Sequence, residues 1–137
     1  MGYKIVLVDD SNLVRSGLKT MLEKSGNWDQ IITAENGKVG LETILRVRPD
    51  IVCTDIEMPE MDGLQLLEEL SELKERGELA EQMPVVVLSG TMHENEPNVR
   101  KARMLGADDV LAKPDGKAAT LKIDTRELEE HLLALLS

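Results

Sequence analysis

Hydrophobic and polar positions change period repeatedly along this chain. The apolar run Ile5-Val6-Leu7-Val8 reads as a strand, and Asp10, Ser11 or Asn12 can cap the helix that follows. Val14, Leu18, Met21 and Leu22 share one face of that helix, and Gly26 stands where a helix stop belongs. Residues 31–34 are a second short strand, after which Asn36-Gly37 turns the chain into a helix carrying Val39, Leu41, Ile44 and Leu45. Pro49-Asp50 breaks it. Residues 51–54 are apolar without alternation, the pattern of a strand covered on both faces. Asp62 can cap a helix bearing Leu66, Leu67, Leu70 and Leu73, and Pro84 introduces a fourth strand over 85–88. Pro97 fits the first turn of the next helix and Gly106 its end. A short fifth strand follows at 110–112. The last helix opens at Asp124, with Glu127 three residues on as in a capping box, and with Leu128, Leu132, Leu135 and Leu136 as its apolar stripe.

Five strands alternating with five helices predict an α/β fold: a parallel sheet with right-handed crossovers and helices on both faces. The strand order 2-1-3-4-5 of flavodoxin-like doubly wound sheets is adopted by analogy. The length of 137 residues suits a single domain spanning 1–137, large enough for a real core. One connection, from Pro114 to Ile123, is longer than the rest.

Composition narrows the function. The core has almost no aromatic residues to draw on: Tyr3, Trp28 and no phenylalanine. A net charge of −10 repels nucleic-acid phosphates and anionic lipid, so neither direct nucleic-acid binding nor membrane association is expected. Cys53 is the only cysteine, which excludes an intrachain disulfide, and its apolar neighbours mark it as a core residue. No signal peptide or membrane span is visible, and a cytoplasmic location is expected.

The chemistry is expected at the carboxyl ends of the strands, where open α/β sheets bind ligands. Strand one ends in Asp9-Asp10, strand three in Asp55, strand four in Ser89 and strand five in Lys113, while the strand interiors are apolar. Three carboxylates in one crevice repel one another by about 4 kcal/mol per pair at ~4 Å and an effective dielectric of ~20. Lys113 offsets part of this, and a divalent cation is the natural complement. Oxygen-only ligands suit Mg²⁺, whereas one cysteine and two scattered histidines cannot build a zinc site. A carboxylate beside a divalent cation, a lysine and a hydroxyl is a good phosphoryl acceptor. It attacks as nucleophile while the cations neutralise the transferring group.

These residues resemble a known family. Val8-Asp9-Asp10-Ser11, the run Asp55-Ile56-Glu57-Met58-Pro59-Glu60-Met61-Asp62-Gly63, then Val87-Leu88-Ser89-Gly90, and Gly106-Ala107-Asp108 leading to Lys113-Pro114 are similar to the receiver domain of two-component response regulators. The resemblance covers essentially the whole chain. It implies that Asp55 accepts a phosphoryl group from a sensor histidine kinase or phosphotransfer protein. It also implies that Asp10 and Asp55 bind Mg²⁺ through their side chains, Glu57 through its backbone carbonyl and Asp9 through water. Ser89 and Lys113 would contact the phosphoryl group. Movement of Ser89 would then repack the face formed by the fourth helix, fifth strand and fifth helix toward an output domain or partner protein. A cis Lys113-Pro114 peptide is expected on the same ground.

Three departures stand out. Val110 occupies a position that is often an aromatic switch residue in the family; Glu57 adds a carboxylate two residues past the acceptor; and the segment after Lys113-Pro114 is long. Asp-Ile-Glu-Met-Pro together with Lys-Pro-Asp-Gly resembles the receivers of chemotaxis methylesterases, in which a catalytic domain follows; a truncated or stand-alone receiver is expected on that comparison. The chain is thus expected to be a signalling module and not an enzyme. A small aspartyl-phosphate phosphohydrolase is the rival. It would resemble Asp-x-Asp, with a second aspartate as general acid, where this chain has Asp55-Ile56-Glu57. Among the remaining polar residues, Asp62 reads as a helix cap, and His93 and His131 as exposed side chains without catalytic partners.

Overall fold

The structure, a computed structural model, describes residues 2–90, 96–112 and 125–137. Five strands alternate with five helices: β1 Tyr3–Val8, α1 Asn12–Ser25, β2 Trp28–Ala34, α2 Gly37–Val47, β3 Ile51–Asp55, α3 Gly63–Glu75, β4 Val85–Ser89, α4 Pro97–Met104, β5 Asp109–Ala112 and α5 Thr125–Leu136. The strands form one parallel sheet in the order β2-β1-β3-β4-β5, as the sequence predicts.

The two-residue strand period divides the core into two layers. Val6 and Val8 of β1, Val52 of β3, and Val85 and Val87 of β4 face one side, where they pack with Ile44 of α2, Leu66 and Leu70 of α3, and Val99 of α4. Ile5, Leu7, Ile51, Cys53, Val86 and Leu88 face the other, against Leu18 and Leu22 of α1 and Leu128 and Leu132 of α5. All five residues of β3 and of β4 are buried, which accounts for their unbroken apolar character.

Helix starts follow from short polar side chains. Of the three candidates before α1, Ser11 is the cap, its Oγ accepting the Val14 N–H at 3.2 Å. Asn36 caps α2 through the Val39 N–H at 2.9 Å. Asp62 and Gln65 form a reciprocal capping box on α3, with bonds of 2.8 and 2.9 Å. Gly26 ends α1 in the left-handed region at φ 76°. The capping box expected at Asp124 lies outside the described residues.

β2 begins earlier than the apolar pattern predicts. It is an edge strand, so its first residues, Trp28-Asp29-Gln30, need no apolar alternation to pair with β1, and a register shift absorbs Asp29. Trp28 packs beside Tyr3 and donates its indole N–H to Glu129 Oε2 of α5 at 2.8 Å.

Candidate functional site

β1 and β3 are adjacent in the sheet, yet α1, β2 and α2 lie between them in sequence, so the winding direction reverses at this pair. Their carboxyl ends flank the crevice where such sheets bind ligands. Asp9 and Asp10 follow β1, Asp55 closes β3 and Ser89 closes β4. One carboxylate oxygen from each of Asp9, Asp10 and Asp55 lies within 4.8 Å of the others. Asp9, Asp55 and Ser89 are buried and Asp10 is exposed. A cavity of about 510 Å³ opens over them, lined by Asp10, Asp55, Glu57, Ser89, Glu96 and Asn98 among others.

Local bonds hold the acidic residues. The Asp9 N–H donates to Ala34 O of the neighbouring strand end at 3.1 Å, and Asp9 Oδ1 accepts the Ser11 N–H at 2.8 Å. Asp55 Oδ1 accepts the Ile56 N–H at 2.8 Å, and its carbonyl accepts the Thr54 hydroxyl at 2.9 Å. The loop after Asp55 folds back tightly. Gly63 N–H donates to Ile56 O at 2.6 Å, and a β-carbon on Gly63 would stand 2.0 Å from the Asp55 carbonyl oxygen. Gly37 plays the same part against Met61, whose carbonyl accepts its N–H at 2.9 Å and would meet its β-carbon at 2.2 Å. Only glycine lets these backbones approach so closely.

Two carboxylates within 4.8 Å of each other repel by at least about 3 kcal/mol at an effective dielectric of ~20. The donors are all oxygen, which suits a hard divalent cation. Cys53 is close enough to feel Asp9 and Asp55 but is no competing ligand. Burial first, and then those two negative charges, push its thiol up to about 12, so it stays protonated. The acidic pocket could therefore hold a metal ion through carboxylate oxygen alone.

The structure thus brings Asp9, Asp10, Asp55, Ser89 and Glu57 to one crevice. Lys113 and the Lys113-Pro114 peptide lie outside the described residues, as does His93. Val110 is buried in the core. His131 is exposed, as expected, with Nδ1 3.3 Å from Asp109 Oδ2 and Nε2 3.9 Å from Glu127 Oε1. Sequence reasoning missed Glu96 and Asn98. Glu96 caps α4 and so reaches the cavity wall, a position that the Pro97 signal beside it could have indicated.

The order of the sheet and the acidic crevice at its reversal point define the class: an open α/β domain with an oxygen-ligand site beside a buried strand-end aspartate. The family model of the response regulator receiver domain matches residues 5–123, and the chain belongs to that family. It is 37% identical over 125 residues, 91% of its own length, to a protein-glutamate methylesterase/protein-glutamine glutaminase of Archaeoglobus fulgidus. To a protein-glutamate methylesterase/protein-glutamine glutaminase of Koribacter versatilis it is 39% identical over 120 residues, 87% of the chain. The chain spans about a third of the length of these curated relatives (34% and 31%). The response regulator domain of Thermotoga maritima CheB shares the fold, with a TM-score of 0.84, 24% identity, and coverage of 99% of this chain and 97% of that one. The sequence resemblance to receivers of the chemotaxis methylesterase type is matched by these relatives. No helix among the described residues is long and apolar enough to cross a membrane.

Proposed function

We propose that this receiver domain, residues 1–137, is a phosphorylation switch in which Asp55 accepts a phosphoryl group from the phosphohistidine of a sensor kinase or phosphotransfer protein. A P–O bond to an Asp55 carboxylate oxygen forms as the P–N bond breaks, and the leaving imidazole takes up a proton. The observation that carries this reading is the meeting of carboxylate oxygens of Asp9, Asp10 and Asp55 within 4.8 Å at the sheet's reversal point. The side chains of Asp10 and Asp55 and the Glu57 carbonyl would hold Mg²⁺, with Asp9 acting through water. The bound cation supplies charge neutralisation on the phosphoryl oxygens. Ser89 donates its hydroxyl to a phosphoryl oxygen, and Lys113 provides the second positive charge.

The output is a change in the face built by α4, β5 and α5, which carries the exposed Met104. Val110 offers no ring to rotate, so backbone and helix shifts carry the signal. The similarity to proteins named protein-glutamate methylesterase/protein-glutamine glutaminase supports a methylesterase as the output domain. Its working environment is the cytoplasm, and it is a module that catalyses only its own phosphorylation and dephosphorylation. The test is transfer of radiolabel from an autophosphorylated histidine kinase. Labelling of the native chain that is lost in Asp55→Ala is expected; equal labelling of Asp55→Ala would overturn the assignment.

A further inference from the structure

Arg15 lies one turn into α1, and its side chain folds back over the start of the helix. Nη1 donates to the backbone carbonyl of Asp9 at 2.5 Å, and Nη2 donates to Asn12 Oδ1. Two prongs of one planar guanidinium are therefore fixed to two points of the same loop.

The Asp9 carbonyl oxygen belongs to the peptide plane that joins Asp9 to Asp10. Because that plane is rigid, holding its oxygen also holds the Asp10 nitrogen. Only φ and the side-chain torsions of Asp10 then remain to aim its carboxylate. The preceding and following residues are held as well, by the Asp9 N–H on Ala34 O, the Ser11 N–H on Asp9 Oδ1 and the Val14 N–H on Ser11 Oγ. Asp10 is the exposed member of the triad, so packing alone does not aim it as it aims Asp9 and Asp55.

The geometry points to Arg15 as a positioning residue: its guanidinium clamps the Asp9–Asp10 peptide so that the Asp10 carboxylate faces Asp55, and this sets the affinity of the three-carboxylate site for a divalent cation. The inference rests on the cation-binding part of the proposed function. A simple electrostatic role makes the opposite prediction. Removing a positive charge near an acidic site strengthens cation binding, whereas removing a clamp weakens it.

The experiment is calorimetric titration of the full chain with MgCl₂ at fixed ionic strength. Arg15→Met should raise the Mg²⁺ Kd about tenfold, the lower end of the loss seen when a group behind a metal ligand is removed. Arg15→Lys keeps the charge but not the fork and should recover part of the affinity. A merely structural arginine would lower the melting temperature of the metal-free protein and leave the Kd of the folded protein unchanged. An Arg15→Met Kd equal to or tighter than native overturns the inference. If Arg15→Met does not fold, Asn12→Ala decides: it frees one prong and touches no carboxylate. Weaker binding in Asn12→Ala then supports the clamp, and native affinity overturns it. A native chain that takes up no Mg²⁺ would overturn the cation reading and this inference together, whereas native uptake matched by Arg15→Met overturns the inference alone.

Discussion

Replacing Gly63 with alanine would put a methyl carbon 2.0 Å from the Asp55 carbonyl oxygen and 2.9 Å from both the Asp55 carbonyl carbon and Ile56 Cα. Ordinary contact begins at 3.4 Å, so the backbones must separate by more than an ångström. Neither side yields easily. Asp55 is paired with Leu88 in the sheet, and the helix beginning at Gly63 buries Leu64, Leu66 and Leu67. Overpacking of this kind costs about 1–3 kcal/mol, and loss of the Gly63 N–H bond to Ile56 O adds about 1 kcal/mol. The better helix propensity of alanine returns at most about 1 kcal/mol. The net expectation is a destabilisation of about 2 kcal/mol, or a melting temperature lower by about 7 °C for a domain of this size. Gly26→Ala is the control. Nothing lies within 4 Å of its added carbon, but its φ is +76°, so only backbone strain of about 1–2 kcal/mol applies. Urea and thermal melts followed by circular dichroism measure both. Because the displaced atoms belong to Asp55, Gly63→Ala should also slow phosphorylation by acetyl phosphate, and Gly26→Ala should not. Gly63→Ala within about 0.5 kcal/mol of native, the range of an inconsequential surface change, or milder than Gly26→Ala, would refute the close-packing argument.

Cys53, with its thiol raised from 9.0 to about 12, binds a proton in the folded state that the unfolded chain releases above pH 9. Its contribution is complete below pH 9 and is lost as pH rises toward 12, by about 1.4 kcal/mol per pH unit; urea melts at pH 7.5 and 10 should therefore diverge less in Cys53→Ala than in the native chain, and equal divergence would contradict it. Asp10→Asn removes one of three clustered charges. With the ~3 kcal/mol pair repulsion screened by the exposure of Asp10, it should stabilise the metal-free protein by about 1 kcal/mol and abolish the rise in melting temperature on adding MgCl₂. A less stable metal-free variant would count against the repulsion. Asp62→Ala removes the half of the α3 capping box in which Asp62 Oδ1 accepts the Gln65 N–H, leaves the backbone N–H of position 62 to donate to Gln65 Oε1, and should cost about 1 kcal/mol in urea unfolding; no loss would mean that α3 is held by its leucines alone.

What the sequence made legible follows from burial. β3 and β4 are covered on both faces, so their apolar runs announce strands, and Asp55 and Ser89 stand out because they interrupt those runs at the end facing the crevice. Asp9 is legible for the same reason. The first half of β2 was hidden, since an edge strand carrying Asp29 and Gln30 has no apolar signature and is fixed instead by pairing with β1 and by the bond from Trp28 to Glu129. The cap of α1 was ambiguous among three residues, and geometry chose Ser11 because Asp9 engages the Ser11 N–H and so aims the Ser11 hydroxyl at Val14. Glu96, Asn98 and Arg15 belong to the site region only through the path of the backbone. Glu96 and Asn98 arrive from the start of α4, and Arg15 arrives by folding back across a helical turn. Apart from the Pro97 signal beside Glu96, neither relation leaves a mark in spacing or period.

The central claim is that Asp55 takes up a phosphoryl group in a cation-dependent way. It is tested most directly by intact mass after incubation with Mg²⁺ and acetyl phosphate, with Asp55→Ala alongside and a parallel sample without Mg²⁺. A single phosphoryl adduct is expected on the native chain, absent from the variant and from the sample without Mg²⁺. An adduct of equal yield on Asp55→Ala, or one indifferent to Mg²⁺, would contradict it.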